Sequence, residues 1–82
     1  MLTIDTQIEN THHILTPSGE IDASNSVQLD ESIRHLSESG AKSILVDGTQ
    51  IDYISSAGLG VFMSYLEDFQ EKGVSLKIFG LK

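Results

Sequence analysis

Eighty-two residues carry 12 acids against 5 bases, a formal net charge of −7, with 39% hydrophobic residues and no cysteine. At 8.9 kDa the chain is one domain, and the surface scaling laws let it bury only about 63% of its unfolded surface. The missing cysteines exclude disulfides and the commonest zinc frameworks, and the acidic surface repels phosphate backbones, so no nucleic-acid partner is expected. No apolar run reaches the roughly 18 residues of a membrane span, and Met1-Leu2-Thr3-Ile4-Asp5 is not a signal peptide. The expected location is the cytoplasm.

Leu2 to Glu9 alternates strictly, with Leu2, Ile4, Thr6 and Ile8 on one side, which predicts a half-buried strand. Asn10-Thr11 reads as a turn and His12 to Thr16 as the returning strand of a hairpin. Pro17 cannot donate to a ladder and is expected at the end of regular pairing. The period then changes. Leu29, Ile33 and Leu36 fall at i, i+4 and i+7, so Ala23 to Ser39 is an amphipathic helix. Asp22, Ser24 and Asn25 all compete to cap it, and Gly40 is its expected stop.

Ser43 to Asp47 is a third strand, and Gly48 to Ser55 a loop holding Ile51 and Tyr53. A second helix starts near Ser56 or Ala57, its stripe Leu59, Phe62, Met63, Leu66 reading as core, and ends at Gly73. Val74, Leu76 and Ile78 then alternate as a fourth strand. The order β-β-α-β-α-β implies a mixed four-stranded sheet. Two right-handed crossovers running the same way put the helices mainly on one face.

Chemistry could sit best at Asp52-Tyr53-Ile54-Ser55-Ser56-Ala57-Gly58-Leu59-Gly60, a loop feeding a helix N-terminus. Unsatisfied backbone N–H groups and the positive end of the helix dipole favour an anion there, including a phosphate on a serine. Gly58 and Gly60 carry no side chain, which would let another backbone approach. Serine before a helix also serves simply as a cap. No catalytic constellation is visible, so the chain is not expected to be an enzyme. Gly58-Leu59-Gly60 lacks the further glycine of a dinucleotide loop, there is no Walker lysine, and no cofactor is expected. His12, His13 and His35 read as surface histidines without metal-ligand spacing.

Ile54-Ser55-Ser56-Ala57-Gly58-Leu59-Gly60-Val61 resembles the signature of STAS domains, specifically the bacterial anti-sigma factor antagonists. Gly19-Glu20-Ile21-Asp22 is similar to the turn after that family's second strand. Ser43 to Asp47 followed by Ile51 to Ile54 is similar to its third strand and the loop behind it. The resemblance spans essentially all of residues 1–82 and implies a single STAS domain. It implies an anti-anti-sigma regulator that binds an anti-sigma factor serine kinase, is switched off by phosphorylation, and is reset by a phosphatase. The phospho-acceptor position falls on Ser56. Ser55 stands where the family often has aspartate and is the second choice; Ala57 replaces a frequent serine or threonine. The docking face implied is Glu20, Asp22, Asp52, Ser55, Ser56, Ala57, Gly58, Leu59 and Gly60. Asp22 serves equally well as a cap of the first helix. The rival reading is a non-switching STAS module in a transporter or signalling assembly.

STAS domains usually continue past the fourth strand into at least one more helix, so the resemblance implies that C-terminal helices are missing. A truncated chain, a homodimer or a domain-swapped oligomer is expected to account for this. The face left short of cover is expected to be Leu2, Ile4, Ile8, Val74, Leu76 and Ile78.

Overall fold

The computed structural model describes residues 1–81. Its elements are β1 (Leu2–Glu9), β2 (His12–Ile21), α1 (Ser26–Glu38), β3 (Ser43–Asp47), β4 (Ile51–Ile54), α2 (Ser56–Lys72) and β5 (Ser75–Phe79). The sheet runs β1-β2-β3-β5, with β1 antiparallel to β2 and the other pairs parallel. It has five strands, not four. The segment expected as a loop contains β4, which pairs in parallel with the far end of β2, Gly19↔Ile51 to Ile21↔Ile54. Four residues with one buried side chain, Ile51, are too few to show a period, so only the open edge of β2 makes them a strand.

That open edge exists because β2 is ten residues long and runs straight through Pro17 to Ile21. Its first half pairs with β3 at residues 13–15, and its second half with β4. Gly19 donates its N–H to the Gln50 carbonyl at 3.1 Å, on the β4 side. Residues two apart point the same way, so the nitrogen of Pro17 faces the gap between β3 and β4, where no ladder bond is lost. This is why proline does not end the strand. Gly19 itself has φ +108, and a Cβ there would stand 2.1 Å from the Met1 carbonyl oxygen. Only glycine fits there. Just beyond it the register shifts, from Gly19↔Ile51 to Glu20↔Tyr53, which leaves Asp52 of β4 as the extra residue.

Helix α1 begins at Ser26, three residues later than the periodicity suggested. Asp22, Ser24 and Asn25 fold into a turn instead. The Asp22 carboxylate accepts from Ser24 N and Ser24 Oγ, and Asn25 Oδ1 accepts from Asp22 N. Short polar side chains that bond their own backbone compete with helix in this way. The helix stops as expected, with Gly40 donating to Ser37 and Ala41 to Leu36.

Both helices lie on one face. Leu29, Ile33 and Leu36 of α1 and Phe62 and Phe69 of α2 meet Leu15, Ile21, Ile44 and Val46 of the sheet in a single core. Between the helices the Tyr65 hydroxyl donates to Asp30 Oδ1, and Tyr65 stacks at a tilt on Phe69 with centroids 5.1 Å apart. The expected uncovered face is mostly covered: Leu2 and Leu76 are buried, and Ile4, Val74 and Ile78 are half-buried against the core. Only Ile8 stands out, 71% exposed. His13 shares that side of β2 with Leu15 and is half-buried, so it is not a surface histidine; His12 is exposed and bonds Ser43 Oγ at 2.7 Å.

Burial, then the Asp30 bond, push the Tyr65 phenol up to about 12, against 10.0 for a free tyrosine. A raised phenol contributes stability that is whole below pH 10.0 and is lost as pH climbs through about 12. Tyr65→Phe should lower unfolding stability at neutral pH by about 1–2 kcal/mol, read by urea denaturation. The same variant should flatten the loss of stability between those two pH values.

Candidate functional site

The segment singled out in the sequence sits at the carboxyl ends of β2 and β4, where α2 begins. Parallel sheets gather ligands and partners at such ends because strands there give way to helix N-termini. Ser55 has extended backbone and caps α2, its Oγ accepting from Gly58 N at 3.4 Å. Its own N–H donates to the Ile21 carbonyl at 2.8 Å. Ile54 pairs with Ile21 one residue earlier. Those contacts tie the helix head to Gly19-Glu20-Ile21-Asp22, which is not the expected turn but the end of β2, with the chain turning only from Asp22. The two stretches separated by more than thirty residues thus form one surface.

Within that surface the two serines differ. Ser55 is half-buried and engaged as the cap; Ser56, the first residue of the helix, is exposed. No acidic residue occupies the first turn of α2, so the positive end of the helix dipole is uncompensated there. Ala57 and Gly60 are exposed beside it.

Gly58 is the exception among the expected docking residues. It is buried, and a Cβ at that position would stand 2.7 Å from Ile21 Cγ2 and 2.9 Å from Ile54 Cγ1. Its missing side chain serves the protein's own packing, letting the first turn of α2 rest on the strand ends, and is not open to a partner. Gly60 has nothing within 4 Å of where its Cβ would be.

The carboxylates are placed differently from one another. Glu20 pairs in register with Tyr53 and lies 3.6 Å from the Met1 ammonium, an exposed contact of little energetic weight. Asp52 is exposed on β4. Asp22 is held by its turn: the Ser24 hydroxyl, then the Ser24 N–H, keep its carboxyl below the ordinary aspartate range. It does not cap α1, since the residue in the cap position is Asn25. Asp47 repeats the device at the end of β3, where Thr49 Oγ1 donates at 2.6 Å and Thr49 N at 3.0 Å, again lowering the acid. Two Asp-x-Ser/Thr turns thus brace the loops at this end of the sheet.

The stripe Leu59, Phe62, Met63, Leu66 is not all core. Phe62 is core, but Leu59, Met63 and Leu66 are 41%, 67% and 42% exposed. They lie on the flank of α2 away from Tyr65, where no other element among the described residues covers them. A stripe at helical spacing has the same pattern whether its neighbour is present or not. Of the three, Leu59 lines an open depression of about 380 Å³ next to the helix head, together with Tyr53 and Leu81. Tyr53, expected in a loop, stands on β4 and is 58% exposed. No group of three or more His, Asp or Glu side chains placed to hold a metal occurs among the described residues. No helix there is long and apolar enough to cross a membrane.

A single mixed sheet with both helices on one face and an exposed serine at a helix head defines a small α/β domain. The sequence profile of the STAS domain matches residues 3–82, and the chain belongs to that family. It is 28% identical over 81 residues to an anti-sigma-B factor antagonist of Listeria monocytogenes, covering 98% of this chain and 71% of that one. Its fold matches an anti-sigma factor antagonist from Mycobacterium paratuberculosis at a TM-score of 0.82 and 17% identity, over 95% of this chain and 66% of the other. It also matches the antagonist SpoIIAA, solved in unphosphorylated and phosphorylated forms, at TM-scores of 0.76 and 0.73. Those two matches are 14% and 15% identical, covering 93% and 94% of this chain and 71% and 70% of SpoIIAA.

The two helix glycines should respond in opposite directions. Gly58→Ala should destabilise by about 1–3 kcal/mol, because Ile21 and Ile54 must give way. Gly60→Ala should stabilise by about 0.5–1 kcal/mol, since only the helix propensity changes. Chemical denaturation of both variants checks this.

Proposed function

We propose that the protein is an anti-sigma factor antagonist, acting in the bacterial cytoplasm, that docks on an anti-sigma factor kinase through the head of α2 and is switched off by phosphorylation of Ser56. The observation that carries this reading is the contrast between the two serines: Ser55 is spent on the cap, and Ser56 is exposed at the first helical position. The family supports it, since the relatives found are antagonists of this kind. The docking surface would comprise Glu20, Asp52, Ser55, Ser56, Ala57, Leu59 and Gly60, and would extend to Tyr53, which is exposed and lines one depression with Asp52 and Leu59. Asp22 acts through its turn with Ser24, which shapes the chain just beyond Glu20 at the end of β2.

Phosphate on Ser56 adds a charge of about −1.5 to −2 where the helix dipole favours it, so the domain stays folded. The same charge is costly against a packed partner surface, where nothing neutralises it. Binding is lost without loss of structure. A phosphatase that removes the phosphate restores it.

Incubation with the cognate kinase and ATP should add one phosphate, located at Ser56 by mass spectrometry. Ser56→Ala should take none. Ser55→Ala should still be modified while losing about 0.5–1 kcal/mol of stability, because its cap bond is long. The melting temperature of the phosphorylated protein should equal or exceed that of the unmodified one. An unmodified wild type, or a fully modified Ser56→Ala, would reject the assignment.

A further inference from the structure

The longest free edge of the sheet is the outer side of β1, eight residues paired with β2 on one side and with no strand on the other among the described residues. Which of its backbone groups face outward follows from β2. The N–H of Gly19 points away from β1, toward Gln50, and Leu15, Pro17 and Gly19 share that direction. In an antiparallel ladder, opposed residues either exchange both bonds or both turn away. Leu2, Ile4, Thr6 and Ile8 oppose Gly19, Pro17, Leu15 and His13, so these four aim their N–H and C=O groups at the open edge. The Leu2 carbonyl bears this out, because Gln28 Nε2 of α1 reaches over to donate to it at 3.2 Å. Gln28 closes the edge at that end. The residues left open are Ile4, Thr6 and Ile8, evenly disposed about Thr6.

We propose that this edge pairs antiparallel with the same edge of a second copy, on a two-fold axis at Thr6. Thr6 then exchanges both bonds with the partner's Thr6, and Ile4 does so with the partner's Ile8 on either side. The exposed Ile8 gains an apolar neighbour on its own face of the sheet. Asp5 meets the partner's Gln7, and Thr3 meets the partner's Glu9, so no like charges stand opposed. Other registers are worse. Centring on Asp5 sets two aspartates face to face, centring on Gln7 sets Asp5 against the partner's Glu9, and centring on Ile4 leaves Ile8 unpaired. The space above the edge suits a second copy too. Two open depressions of about 270 and 440 Å³ separate β1 from α1 and share Thr6, His35 and Leu36. The axis at Thr6 therefore brings the outer flanks of the two α1 helices toward each other over a floor of Ile4, Thr6 and Ile8.

The inference is independent of the kinase reading, and its test uses no kinase. Sedimentation of the full chain at about 0.5 M salt, which screens two acidic copies from each other, should show a dimer forming as concentration rises. Ile8→Lys should weaken it by about tenfold or more with the unfolding midpoint unchanged. Because the chain has no cysteine, Thr6→Cys carries a single thiol, and opposed residues on the axis sit about 5.5 Å apart at Cα, within disulfide reach. It should form a disulfide-linked dimer under mild oxidation at least about ten times faster than Ser64→Cys, an exposed control on α2. A monomer at every concentration overturns the proposal. So does a dimer that survives Ile8→Lys, or a Thr6→Cys that cross-links no faster than the control.

Discussion

The close approach of α2 to the ends of β2 and β4 is the contact on which the rest of the structure depends. Gly58 rests on Ile21 and Ile54 with no room for a methyl group, and Ser55 N–H closes the same corner on the Ile21 carbonyl. With the first turn seated there, Phe62 and Phe69 drop into the core about two turns apart, each burying an aromatic ring worth roughly 1.5–3 kcal/mol. The helix head is thereby held against the end of β2 and the turn that begins at Asp22. A site made from two distant stretches of chain owes its shape to one missing side chain.

That same seating separates the roles of the neighbouring serines. A helix has one cap position, and the residue that fills it turns its hydroxyl inward to the orphan N–H groups. Ser55 does so, and Ser56, one step along, is left facing solvent with the dipole beneath it. An anion placed there is compatible with the fold, because the helix dipole favours it. In the proposed function, a phosphate at this point would therefore act on binding and spare stability.

Most of the architecture was legible in the sequence because periodicity and punctuation agree locally. Strict alternation gave β1 its bounds, the i, i+4, i+7 pattern gave α1, and Gly40 and Gly73 stopped the helices where the backbone turns left-handed. The resemblance carried by Ser55-Ser56-Ala57-Gly58-Leu59 reached the right family. What stayed illegible depended on neighbours. β4 is a strand only because β2 overshoots β3, and Pro17 is harmless only because its nitrogen faces a gap. Asp22 forms a turn with Ser24 rather than a cap, since both arrangements use the same residue types at nearly the same spacing.

The sequence by itself determined the acidic surface, the alternation of strands and helices, the one-sided sheet and the location of the helix-head segment, since each rests on residue type and spacing along the chain. Only the tertiary structure decided which of the apolar residues on α2 are core, since burial is set by what packs alongside. It also decided that Gly58 serves internal packing while Gly60 lies open, and that β1 presents Ile4, Thr6 and Ile8 at its free edge. A hydrogen-bonding direction or an uncovered flank is a relation between segments, and no local pattern contains it.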